Sequence, residues 1–301
     1  MQEFAVGLRF PEGPIALADG SLLVVEIAAG NLTRIDPSGG KTVVAHLGGG
    51  PNGAAIGPDG RCYVCNNGGF EWRERDGVLL PAGTAKDYSG GSIQAVDLVT
   101  GEVDVLYTHC GEQRLNGPND IVFDRTGGFW FTDHGHTHGR HRDRGAVYYA
   151  QTDGSLITEA VFPVEMPNGI ALSPNEQTLY VAETVTGRLW SWSLEAPGRV
   201  ARRQRNILGG MGQLVYGLGG FQLFDSMAVD AEGNIHVGTV PSGISVVSAD
   251  GQLIEQIPMP ERFATNLCFG GAELDEIFVT LSSTGRVVRA KSRFRGAKLA
   301  F

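Results

Sequence analysis

Six polar residues recur at matching places along the 301-residue chain: Glu12, Asn52, Asn119, Asn168, Asp225 and Thr265. Each opens a short apolar run, as in EGPIALADG from Glu12, NGAAIGPDG from Asn52, NDIVFDRTG from Asn119 and DSMAVDAEG from Asp225. In four of the six a turn glycine follows eight positions later, at Gly20, Gly60, Gly127 and Gly233. Equivalent positions of repeated units meet when the units are arranged around an axis. Two carboxylates, three amides and a hydroxyl brought together there are costly to bury without a partner. The partner such an all-oxygen set fits is a single divalent cation, Ca²⁺ first, with Mg²⁺, Mn²⁺, Zn²⁺ and Fe²⁺ also admitted.

The elements that would position these groups follow from the rest of each repeat. A second β-rich run comes after every turn: SLLVVE to Glu26, RCYVCN to Asn66, GFWFTD to Asp133, TLYVAE to Glu183, NIHVGT to Thr239 and EIFVTL to Leu281. Tandem all-strand units of this length predict an all-β fold, a six-bladed β-propeller with four-stranded antiparallel blades, over residues 1–301 as a single domain. Residues 1–9 read as a strand closing the ring against the last blade. If each blade's first strand starts at the site face, its second ends there. The connections from second to third strand then overhang the channel mouth. The two long insertions, residues 68–91 and 134–144, fall in such connections. Asp133, Glu183 and their equivalents form an outer ring, placed to meet substrate hydroxyls or to hold the inner ring.

Composition sets limits on partners. Glycine is 44 of 301 residues, as expected of a chain that reverses every few positions. A net charge of -9 argues against nucleic acid, and no run of eighteen apolar residues is present to span a membrane. MQEFAVGLRF lacks the basic and apolar regions of a signal peptide, and the four cysteines (Cys62, Cys65, Cys110, Cys268) lack framework spacing, so the expected setting is cytoplasmic. The expected partner is a small molecule; oligomeric state is not legible.

Several further motifs invite a reading. Within Asp133-His-Gly-His-Thr-His-Gly-Arg-His141, imidazoles at 134, 136 and 138 fall on one side of an extended segment, either as a second, nitrogen-rich metal site or as a solvated or substrate-contacting loop. Trp72, Arg73 and Tyr88 in the first insertion read as a lid with aromatic and cationic contacts to substrate. The thiols of Cys62-Tyr-Val-Cys65 fall on opposite strand faces and read as core. The basic run 199–205 reads as a solvated outer strand, and the Gly-rich stretch 206–224 as rim packing between blades.

Four ordered segments carry a resemblance. Phe10-Pro-Glu-Gly-Pro14, Gly117-Pro-Asn-Asp-Ile-Val122 with Phe129-Trp-Phe-Thr-Asp133, Pro167-Asn-Gly-Ile-Ala-Leu-Ser-Pro174 with Leu179-Tyr-Val-Ala-Glu-Thr184, and Phe224-Asp-Ser-Met-Ala-Val-Asp230 resemble the signatures of the gluconolactonase, senescence marker protein and luciferin-regenerating enzyme family. The resemblance implies a six-bladed propeller with one catalytic divalent metal bound by Glu12, Asn168 and Asp225. It makes Asn119 either a direct ligand or a substrate contact. An arginine that binds substrate in animal members stands two positions before that Asn; here it is Gly117. The implied reaction is hydrolysis of a γ- or δ-lactone to its hydroxy acid by a metal-activated water. Asp225 then serves as base, as nucleophile or to position the water. Asn52, Asn119, Asp133, His134, Glu183, Trp72 and Arg73 are the expected substrate contacts. The alternatives are a promiscuous phosphotriester or aryl-ester hydrolase using the same ion, and a non-catalytic binding propeller.

Overall fold

A computed structural model describes residues 1–201 and 212–301. Its strands form six antiparallel sheets that succeed one another along the chain. Their first strands, Pro11–Ala16, Pro51–Ile56, Pro118–Phe123, Pro167–Leu172, Leu223–Val229 and Ala264–Gly270, each lie against the next, and the last returns to the first. A closed ring of this kind is a six-bladed β-propeller whose first strands surround the axis. Five blades are four-stranded. The fourth departs from the expected count: the edge of Arg188–Ala196 pairs with both the short Arg199–Val200 and Gln213–Gly217. Residues 202–211, which include most of the basic run and the start of the Gly-rich stretch, lie outside the described residues.

The ring closes as the sequence predicts. Gln2–Ala5 pairs antiparallel with Arg286–Lys291, so the sixth blade takes its outer strand from the other end of the chain. Apolar side chains between neighbouring blades make the core, with Trp130, Tyr63, Tyr149, Phe129 and Phe131 among the largest fully buried ones.

Every axis-lining strand carries a β-bulge at the same place. Pairing with the second strand breaks between Glu12 and Ile15, Pro51 and Ala54, Pro118 and Ile121, Pro167 and Ile170, Phe224 and Met227, and Ala264 and Asn266. Each break brackets or adjoins the repeated polar residue. A bulge frees that residue from the ladder and re-aims its side chain, which turns a repeated sequence position into a ring of inward groups.

Two more segments close the ends. The first insertion contains a hairpin, Phe70–Arg75 with Val78–Thr84, and the second a short one, Thr137–His138 with His141–Arg142. At the far face the chain after Lys291 forms a strap. Gly296 bridges Asp230 of the fifth blade, and Phe301 meets Phe123 of the third at 6.0 Å. The third blade stands opposite the sixth, so the strap passes beneath the channel.

Candidate active site

Glu12, Asn52, Asn119, Asn168 and Thr265 are buried at the site end of the axis, and Asp225 is partly buried among them. Glu12 accepts hydrogen bonds from Ser282 Oγ at 3.3 Å and Gly13 N at 3.4 Å, with Thr265 and Asn266 also donating to it. Asp225 accepts from Ser226 N at 3.1 Å and from the Asn168 amide. Asn168 is itself tied to Thr184 Oγ1 at 3.2 Å and to Ser226 Oγ at 3.4 Å. Among the described residues neither Asn52 nor Asn119 is hydrogen-bonded through its side chain, and Asn119 Oδ1 is a buried acceptor with no partner.

A third carboxyl joins these. Asp120, absent from the sequence-based expectations, is buried beside the axis, where its Oδ1 accepts from Ile121 N at 3.0 Å and Ser226 also bonds to it. The signal for it lies in the second position of the repeat. That position is Gly13, Gly53 and Gly169 in three blades, where a Cβ would strike the backbone of the next blade, such as Asn119 O at 2.5 Å from Gly53. In the other three it carries Asp120, Ser226 and Asn266: Ser226 bonds Asn168, Asn266 bonds Glu12, and Asp120 bonds Ser226.

Gathering acids this way changes their proton affinity. Burial pushes Glu12 up to about 7 against the hydrogen bonds that favour its charged form. Burial and the charge of Glu12 push Asp120 up to about 7. Burial, then Glu12 and Asp120, hold Asp225 well above the usual carboxylate range. Crowded acids that resist ionising, around an amide oxygen with no donor, fit a hard divalent cation: it would favour the ionised forms and satisfy Asn119 Oδ1. Among the described residues no three His, Cys, Asp or Glu side chains are grouped to hold a metal by themselves. A cation there would need the amide oxygens of Asn119 and Asn168 as well.

The outer ring has a different task from the axis. Glu26 Oε2 accepts from Arg9 N at 2.7 Å, Asn66 Oδ1 from Gly50 N at 2.8 Å, and Glu183 Oε1 from Glu165 N at 3.0 Å. Asp133 accepts from Asn116 N and Gly117 N, both at 2.7 Å, and from Gly135 N at 2.9 Å. In each case the second strand's last side chain clamps the backbone entering the axial strand of its own blade. Asp133 and Glu183 thus hold the backbone of the inner ring, one of the two tasks expected of them.

At the mouth, the imidazoles of the second insertion diverge. His134 Nδ1 faces Pro167 O at 3.3 Å, beside Asn168. Burial pushes His134 down to about 3, so the ring is neutral and Nδ1 donates. His136 bonds Asn67 O at 2.7 Å and Thr84 Oγ1 at 3.1 Å, while His138 faces Asp143 Oδ2 at 3.2 Å. Three imidazoles with three separate partners do not make the nitrogen-rich metal site that their spacing allowed. Trp72 packs on Phe10 at 5.0 Å, whereas Arg73, one residue on, faces the opposite, exposed side of the hairpin. The four cysteines are free, and Cys62 and Cys65 are buried.

The sequence profile of the SMP-30/Gluconolactonase/LRE-like region matches residues 10–283. The chain belongs to this family. The matched span holds all six repeated polar residues and both insertions; the closing strand and the far-face strap lie outside it. A gluconolactonase from Zymomonas mobilis is 27% identical over 321 residues, covering 98% of this chain and 82% of that protein. A gluconolactonase structure from Xanthomonas campestris superposes with a TM-score of 0.75 at 23% identity, over 96% of this chain and 88% of the other. A calcium-binding protein, regucalcin, from Agrobacterium tumefaciens gives 0.72 at 20% identity, over 99% and 100%. Family membership thus rests on sequence, and the propeller architecture on both sequence and structure.

Proposed function

We propose that this member of the family is a metal-dependent lactone hydrolase that opens a γ- or δ-lactone to its hydroxy acid. Glu12, Asn119, Asn168 and Asp225 would hold one divalent cation, Ca²⁺ by the hardness of the oxygen set and by analogy with the calcium-binding relative. Such a cation supplies polarisation of a carbonyl and a lowered pKa for water.

The side chains supply the rest. Asp225, oriented by Ser226 N and Asn168, takes the proton of the attacking water. Asn52, beside the axis and unbonded, orients the substrate. His134, neutral and next to Asn168, accepts a hydrogen bond through Nε2 because Nδ1 already donates to Pro167 O. The observation carrying this reading is the gathering, near an unpartnered amide oxygen, of Glu12, Asp120 and Asp225, all three raised by burial and the two aspartates also by the charge of Glu12. The gluconolactonase relatives support the reaction class. Among the described residues no helix is long and apolar enough to cross a membrane, and four unpaired cysteines support a reducing, cytoplasmic setting.

The test is turnover of a lactone panel by purified protein of known metal content. Chelation and Asp225→Ala should each lower kcat by at least ~100-fold, with the far-UV spectrum unchanged. Full activity after either treatment would refute the mechanism.

A further inference from the structure

The hairpin Phe70–Arg75 with Val78–Thr84 grows from the second blade but does not stay above it. Leu79 packs with Phe10 and Ile27 of the first blade. Strand Val78–Thr84 touches Ser282–Thr284 of the sixth, whose Ser282 bonds Glu12. On the other side, Thr84 Oγ1 reaches His136 and Thr137 O of the third blade, both at 3.1 Å. Glu74 closes a 3.0 Å ion pair with Arg9. The hairpin therefore reaches over blades six, one, two and three, and among the described residues its contacts do not extend to blades four and five.

The hairpin face that meets the first blade is aromatic. Phe70, Trp72 and Glu74 share one strand face, the one that meets Phe10 and Arg9. A run of rings crosses the mouth: Phe10 to Trp72 at 5.0 Å, Trp72 to Phe70 at 6.0 Å, Phe70 to His136 at 5.4 Å and His136 to Tyr88 at 4.5 Å. Phe10 is held at φ 60°, a left-handed conformation that a bulky residue avoids unless its surroundings impose it. Phe70 and Trp72 keep part of their surface uncovered.

The side towards blades four and five is apolar as well. Val185 is 55% exposed and Phe221 78% exposed, on neighbouring loops joined by Leu218 N to Gly187 O at 3.3 Å. The carboxylates that end the second strands of blades three and four, Asp133 and Glu183, accept hydrogen bonds from backbone N–H groups.

Resting on the lactone-hydrolase reading, we propose that the substrate is a lactone bearing an apolar substituent. Its ring carbonyl lies at the axis beside Asp225, and its substituent lies between the Phe70–Trp72 face of the hairpin and the Val185–Phe221 rim. Trp72 and Phe221 are the residues that set this specificity. Polar floor and apolar ceiling match the two ends of such a molecule, as expected where a few polar groups orient a ligand and apolar ones bind its bulk.

The experiment compares kcat/KM of the metal-loaded enzyme on δ-lactones carrying unbranched alkyl chains of increasing length, with glucono-δ-lactone as the polyhydroxy control. The expected result is a rise of ~4-fold per methylene over the first few carbons, mainly in KM, with the control slowest. Trp72→Ala and Phe221→Ser should each flatten that rise, while Trp72→Phe retains it; Phe221 is exposed, so its variant folds whatever Trp72→Ala does. Preference for the control, or slopes unchanged in both variants, would overturn the proposal while leaving lactone hydrolysis intact. Absence of turnover on every lactone would overturn the parent reading and this one together.

Discussion

Asp120 occupies a position where three blades have glycine, and its carboxyl is pressed against the same space as Glu12 and Asp225. For each of these acids the folded-state pKa is raised, so in cation-free protein the folded state binds more protons than the unfolded one. Stability is then lost as pH rises from the unfolded value, 4.5 for Glu12, through about 7. His134 works the other way: its folded pKa, about 3, is below its unfolded 6.5, so its contribution grows over that interval. The two slopes separate in a difference measurement, because cation binding needs the ionised carboxylates. The rise in Tm produced by saturating Ca²⁺ should increase steadily from about pH 5 to about pH 8 and be absent in Asp225→Asn. A calcium shift independent of pH would show that these carboxyls are not its ligands. The polarity of Glu12, Asn168 and Asp225 was legible in the sequence because all three begin apolar runs at one repeat position. Asp120 was not, since an acid one residue further along a strand ordinarily faces the other way; the bulge after Pro118 removes that rule.

The element that makes the site is the bulged axial strand, repeated around the ring and clamped from behind by Glu26, Asn66, Asp133 and Glu183. A sequence shows that these second-strand ends are polar, yet a carboxylate that holds backbone and one that holds substrate read alike. Only the donors at 2.7 to 3.0 Å decide between them. The lid was legible as an insertion of unusual length; its reach to Ser282 was not, because nothing in residues 68–91 encodes a contact with the sixth blade. Close strand approach at the axis gives a direct test. A Cβ on Gly53 would lie 2.5 Å from both Asn119 O and Asp120 Cα, where backbone must yield. Gly53→Ala should cost ~1–3 kcal/mol in urea unfolding and weaken cation affinity with it, because the displaced residues belong to the ring. Unchanged stability and affinity would mean that the neighbouring strands are not held at this spacing.

Across the molecule, both ends of the chain brace the ring: Gln2–Ala5 completes the sixth blade, and the strap from Ser292 onward crosses below the channel to Phe123. The closing strand was expected from the repeat count, since the sixth unit runs out of strands. The strap carries no repeat signature and was not. Its anchor, Phe294, packs edge-on against buried His236 at 4.8 Å, and His236 Nε2 faces Asp230 Oδ2 at 3.0 Å. Phe294→Ala should therefore lower stability by ~1 kcal/mol, near half the value for fully burying such a ring, while kcat stays within twofold, because the strap lies at the end remote from Glu12. A large loss of kcat without loss of stability would place the strap in the chemistry.

Calorimetric titration of metal-free protein with Ca²⁺ tests most directly whether Glu12, Asn119, Asn168 and Asp225 share one cation. One site per chain is predicted, with proton release on binding near neutral pH, weakened in Asn119→Ala and lost in Glu12→Gln and Asp225→Asn. Calcium binding of unchanged affinity in both carboxylate variants, or none in the native protein with any divalent ion, would contradict it.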